Sequence, residues 1–177
     1  MKTFVKPVLL VVVVAISFLS IGTYININDT YEGYDLDDLE IKEGQIFKLK
    51  SVDPEHDYSL EIRVDSVEDG IVTYTLVGDD EQEKKDVATF KKELCYNPIS
   101  AIKELGVGDF VRSFETRINV PIGTYDVTCT EYKLEQSENI EFTTYVYSYN
   151  DTSIKYERTF DGIPLSSFEL ESIQEAG

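Results

Sequence analysis

Alternating apolar and polar runs, punctuated by two-residue turns, decide what class of fold this chain can adopt. Tyr58 to Val67 puts Leu60, Ile62 and Val64 on one side and Glu61, Arg63 and Asp65 on the other. That is the period of a half-buried strand. Glu68-Asp69-Gly70 follows, and Ile71 to Val77 runs back. An Asp-Gly pair between two such runs is a strong hairpin signal, because the tight turn needs positive φ at both central residues. Asn150-Asp151 and Asp161-Gly162 punctuate the last third of the chain in the same way. Further strand-like runs cover 46–50, 109–118, 125–134, 140–149, 154–160 and 164–173. Gly78 to Asp86 reads as a charged loop. No parallel crossover pattern is present. The expectation is a mainly β fold of about eight strands. It would form a single antiparallel, strongly curved sheet or open barrel, with one or two short helices in the middle.

Those helices come from a change of period. Val87, Phe90 and Leu94 are spaced three and four apart, and Asp86 stands where it can cap the first turn. A helix over 86–97 ends at Asn97-Pro98. A second short turn over 99–105 would line one side with Ile99, Ile102 and Leu105.

The start of the chain sets the compartment. Lys2 and Lys6 precede 19 uncharged residues from Pro7 to Ile25, and the next charge is Asp29. A positive flank, an apolar middle and small residues at Ser20 and Gly22 are the parts of a secretory signal. The same run nears the roughly 20 residues that cross a bilayer as a helix. Both readings put the remaining chain outside the cytoplasm, membrane-anchored or secreted. The expected organisation is a signal peptide or transmembrane anchor over 1–27, an acidic linker over 28–43 and an antiparallel β domain over 44–174. The membrane is then a partner through the N-terminal segment where that segment is kept.

Charge and cysteines narrow the partners. The net charge is −18, and losing the two lysines of the first 22 residues takes it to −20. A field that negative disfavours nucleic acid. In an oxidising compartment the two cysteines, Cys95 and Cys129, suggest one bridge. Its loop would contribute roughly 3.5 to 4 kcal/mol in the chain-entropy picture. Two buried reduced thiols on different strands are the alternative. With one histidine and no Cys-x-x-Cys pair, a tetrahedral zinc site lacks ligands. The carboxylates at 35, 37, 38 and 40 lack the glycine and closing glutamate of a calcium loop.

The inventory for catalysis is equally thin. His56 sits among acids in a turn, without an orienting partner or a Gly-x-Ser-x-Gly nucleophile. No glycine-rich phosphate loop is present. The chain therefore reads as a non-enzyme without a cofactor. Its most suggestive feature is a row of tyrosines on one strand face, Tyr145, Tyr147 and Tyr149. Each offers an apolar body and a polar tip. Facing into a curved sheet with Val127, they or their opposite-face neighbours would line a pocket for a lipid or other apolar small molecule. Cross-strand packing is the plainer reading of the same row.

Several phrases of the C-terminal half have a familiar cadence. They are Val107-Gly108-Asp109-Phe110-Val111, Val120-Pro121-Ile122-Gly123-Thr124-Tyr125, Thr144-Tyr145-Val146-Tyr147 and Ile154-Lys155-Tyr156-Glu157-Arg158. This half resembles small exported domains of unknown function of the DUF3108 type. Ile122 stands where those proteins usually have alanine, and Thr152-Ser153 where they usually have glycine. The resemblance implies a curved sheet of the lipoprotein-carrier kind wrapping an apolar cavity, and it carries no catalytic residue. Two functions follow as expectations: an exported β domain holding a lipid or apolar ligand in the sheet concavity, or a protein-interaction module, its protein partner unknown, with no cavity.

Overall fold

The computed structural model describes residues 34–52, 58–79, 81–96, 106–137 and 140–175. They form one antiparallel sheet of nine strands and one short helix. The strands are β1 (Ile46–Ser51), β2 (Ser59–Glu68), β3 (Ile71–Leu76), β4 (Gln82–Asp86), β5 (Asp109–Val120), β6 (Gly123–Ser137), β7 (Ile140–Tyr149), β8 (Thr152–Phe160) and β9 (Ile163–Gln174). Helix α1 (Val87–Glu93) follows β4. The apolar run over 7–25, the second expected helix over 99–105 and His56 lie outside the described residues. Among the described residues, no helix is long and apolar enough to cross a membrane.

The order across the sheet is β4-β3-β2-β1-β9-β8-β7-β6-β5. Two meanders, β1 to β4 and β5 to β9, are thus joined where the last strand pairs with the first. β4 and β5 remain as edges. The sheet is neither closed nor strongly curled, which corrects the expected strong curvature or open barrel. The two edges never meet, and the chain between them forms α1, which packs over one face.

The hairpin turns follow the sequence closely. Asp69 and Gly70, Asn150 and Asp151, and Asp161 and Gly162 all have positive φ. In each case the flanking residues pair directly, as Glu68 does with Ile71, Tyr149 with Thr152 and Phe160 with Ile163. Positive φ at both central residues matches the right-handed twist of the strands.

Two expected boundaries change. The stretch expected as a charged loop contains β4, whose Gln82-Glu83-Lys84-Lys85-Asp86 pairs with β3. The expected linker is, from Tyr34 on, part of the packed domain. Leu36, Leu39 and Ile41 are buried in the same cluster as Phe47, Leu49 and Leu170. Backbone and side chains hold this strap along one end of the sheet. Tyr34 N donates to Ile122 O (2.8 Å) and Tyr125 Oη to Tyr34 O (2.7 Å). Further along, Lys91 Nζ of α1 reaches Leu39 O.

Helix α1 forms where its period predicts. Asp86 caps it by accepting from Thr89 N (2.9 Å). The bonds from Thr89 hold the Asp86 carboxyl below its ordinary range. Phe90 is buried and meets Phe47 and Tyr74 edge to face, with centroids 5.7 and 5.1 Å apart. Leu94 is buried one turn on. The helix is short and covers only part of the sheet, which leaves open space beside it.

Candidate functional site

That space is a groove of about 770 Å³ between α1 and the half-sheet β5 to β7. Its helix side presents Lys92, with Tyr96 just beyond the helix end. Its sheet side presents Phe110, Thr130, Tyr132 and Val146. The strand register explains the grouping, because Phe110 pairs with Tyr132, Ser113 with Thr130, and Thr130 in turn with Val146. These side chains share one face. Phe110 and Tyr132 meet edge to face at 6.5 Å. Ser113 Oγ and Thr130 Oγ1 share a hydrogen bond of 3.1 Å. The surface is therefore aromatic at one end and studded with hydroxyls, and suits an amphipathic molecule better than a hydrocarbon alone.

Gly108 sets the entry of β5 into this site. Its φ is +104°, and a Cβ there would lie 2.4 Å from Lys133 O. Only glycine lets the chain pass so close to β6 and begin β5 with Phe110 opposite Tyr132.

The tyrosine row falls elsewhere. Tyr145 and Tyr147 pair with Glu131 and Cys129 of β6, on the face opposite to that of Tyr132 and Val146. None of Tyr145, Tyr147, Tyr149 and Val127 lines the groove. Val127 is buried in the core. Tyr147 Oη donates to Glu157 Oε2 (2.9 Å), and Tyr149 Oη to Asp37 Oδ1 (2.5 Å). Burial first, then Glu157, pushes the Tyr147 phenol up. Tyr149 meets the Tyr125 ring at a tilt, with centroids 5.1 Å apart. Tyr147 thus ties β7 to β8, and Tyr149 anchors the strap.

The two cysteines are free, which corrects the expected bridge. Cys95 lies against β8, where its Sγ donates to Ser153 O (3.1 Å). Cys129 lies on β6 opposite Tyr147 of β7, so a strand stands between the two thiols. Both are buried. Burial raises both thiols, Cys129 to about 11. Among the described residues, no group of three or more His, Cys, Asp or Glu is placed to hold a metal ion.

Sequence reasoning passed over Tyr96, Phe110 and Tyr132 as site residues. Alternation along β5 and β6 marks Phe110 and Tyr132 as one face, but only the cover by α1 makes that face a groove. No family model matches this chain, and no curated protein matches it significantly, so no residue role is carried in from a relative.

Proposed function

We propose that the chain is an exported or membrane-tethered β domain that binds, without chemistry, an amphipathic ligand of lipid type. The observation that carries this reading is the groove between α1 and β5 to β7. Its volume falls within the few-hundred to 1,000 Å³ typical of small-molecule sites. Export rests on Lys2, Lys6 and the uncharged run that follows. The test is retention of fluorescent fatty acids of graded chain length by the full chain in mild detergent. Retention that falls at least about tenfold in Tyr132→Ala, with an unchanged melting curve, supports the reading. No retention at any length removes it.

A second reading, a protein-interaction module, rests on the edge strands. β4 is five residues long and carries Lys84 and Lys85, the usual protection of an edge. β5 is a twelve-residue edge with Phe110, Val111 and Phe114 exposed. Such an edge can accept a strand from another protein. Under this reading Phe114→Lys abolishes capture of a partner from the host envelope, and the groove stays empty.

A further inference from the structure

Strand β8 carries a cation that has no ion pair among the described residues. Ile154, Tyr156, Arg158 and Phe160 follow one another at period two along a single face. Arg158 is 4% exposed, and its Nε, Nη1 and Nη2 are all buried without a hydrogen-bond partner among the described residues. Thr144 stands directly opposite on β7. It is fully buried, and its Oγ1 is likewise unpartnered. On the other side, Ser166 of β9 faces Arg158, and its hydroxyl is shared with Tyr156 Oη at 3.3 Å. The guanidinium lies 4.9 Å from the Phe142 ring centroid. Tyr156 Oη lies close enough to the guanidinium to feel both its charge and a loose hydrogen bond from it, but that contact is too poorly aligned to satisfy the fork. The described ion pairs of β8 belong to the opposite face, where Lys155 meets Glu157 and Glu169. A chain with 34 acids thus leaves this arginine without a carboxylate among the described residues.

A buried guanidinium holds five N–H donors in a planar fork. The cation–ring contact with Phe142 offsets only part of the loss of water. One loose contact to Tyr156 leaves most of those donors unsatisfied, which is costly, and the fork matches a carboxylate in two parallel bonds. The site also adjoins the groove. Thr144 pairs on its other side with Tyr132. Tyr132 and Val146, the residue two beyond Thr144 on the same face, both line the groove. We propose that Arg158 and Thr144 form the seat for the carboxylate of an acyl-chain acid, whose apolar body lies along Tyr132, Phe110 and Tyr96. The inference rests on the groove reading and adds the head group. The seat is sealed from solvent in the free chain, so the carboxylate displaces protein packing and binding includes a rearrangement beside Tyr132.

The experiment is calorimetric titration of the full chain at neutral pH with dodecanoic acid and with dodecan-1-ol, which has the same chain and no charge. The expected result is binding of the acid at least about tenfold tighter than of the alcohol. That preference disappears in Arg158→Met, and Thr144→Val weakens the acid alone. Methionine is apolar and of similar length, so the fold tolerates it. If Arg158→Met fails to fold, Thr144→Val and Arg158→Lys carry the test, since lysine keeps the charge and loses the fork. Equal binding of acid and alcohol to the wild type overturns the seat and leaves the groove standing, as does an acid preference that survives in the variants. Binding of neither overturns both.

Discussion

Tyr34 Oη donates a 2.5 Å hydrogen bond to Glu175 Oε1, joining the first described residue to the last. Gln45 Nε2 reaches Glu175 Oε2 (3.2 Å) and Glu40 O (3.1 Å). The strap before β1 is therefore fastened at both of its ends and belongs to the fold. Leu36→Ala should lower stability by about 2–5 kcal/mol, the usual cost of emptying a buried leucine site. Urea unfolding would show it, and a domain begun at residue 44 should melt well below one begun at residue 31.

The same strap makes the fold sensitive to alkali. Burial, first of all, lifts the phenols of Tyr34 and Tyr125 from 10.0 to about 12. A group whose pKa is higher folded than unfolded supports the fold fully below its unfolded pKa. That support is lost as pH climbs through the folded value. Stability should therefore decline between about pH 10 and about pH 12. Tyr125→Phe should flatten that decline while costing stability at neutral pH through the lost bonds to Tyr34 O and Ile122 O. Melting temperature against pH for both chains checks this.

Cys95 and Cys129 should resist thiol reagents in the native chain, because burial keeps both protonated. Ellman titration should find fast reaction only after denaturant is added, and then two thiols. A reductant should leave the melting temperature unchanged. A shift on reduction would show a bridge and require β7 to move from between them.

Gly108→Ala should be poorly tolerated, because the new Cβ meets the backbone of Lys133 at a positive φ. A loss of roughly 1 kcal/mol or more is expected. Amide exchange should rise first in β5, and under the proposed function retention of a fluorescent fatty acid should fall with it.

Asp151 offers the opposite change. It holds φ 63° in a turn where its partner Asn150 also has positive φ. Asn-Gly is the pair such a turn favours. Asp151→Gly should stabilise by about 0.5 kcal/mol, read as a small rise in the urea midpoint at unchanged slope.

The hairpins are legible in the sequence because their turns are chemically specific. Asp69-Gly70 and Asp161-Gly162 state their backbone angles outright. β4 is hidden because an edge strand can be held by backbone bonds alone, and Gln82 to Asp86 shows no apolar face. Leu36, Leu39 and Ile41 are masked by the acids around them, which read as tether. Arg158 is the instructive miss. An arginine in a strand suggests a solvent-facing position, yet Tyr156 and Phe160 flank it two residues away on either side. By period two it belongs with them on the inner face. The tyrosine row lies off the groove, and two of its polar tips, on Tyr147 and Tyr149, turn to Glu157 and Asp37.

The position of β9 between β1 and β8 bears on how the chain reaches this state. The seam of the sheet is the strand made last of the nine. Until it emerges, β1 waits with one edge unpaired across more than a hundred intervening residues, and the two meanders share no ladder. Such non-local closure slows folding and prolongs the exposure of sticky edges. A chain stopped before residue 163 would carry every hairpin signal and still lack the joint that makes one sheet of them.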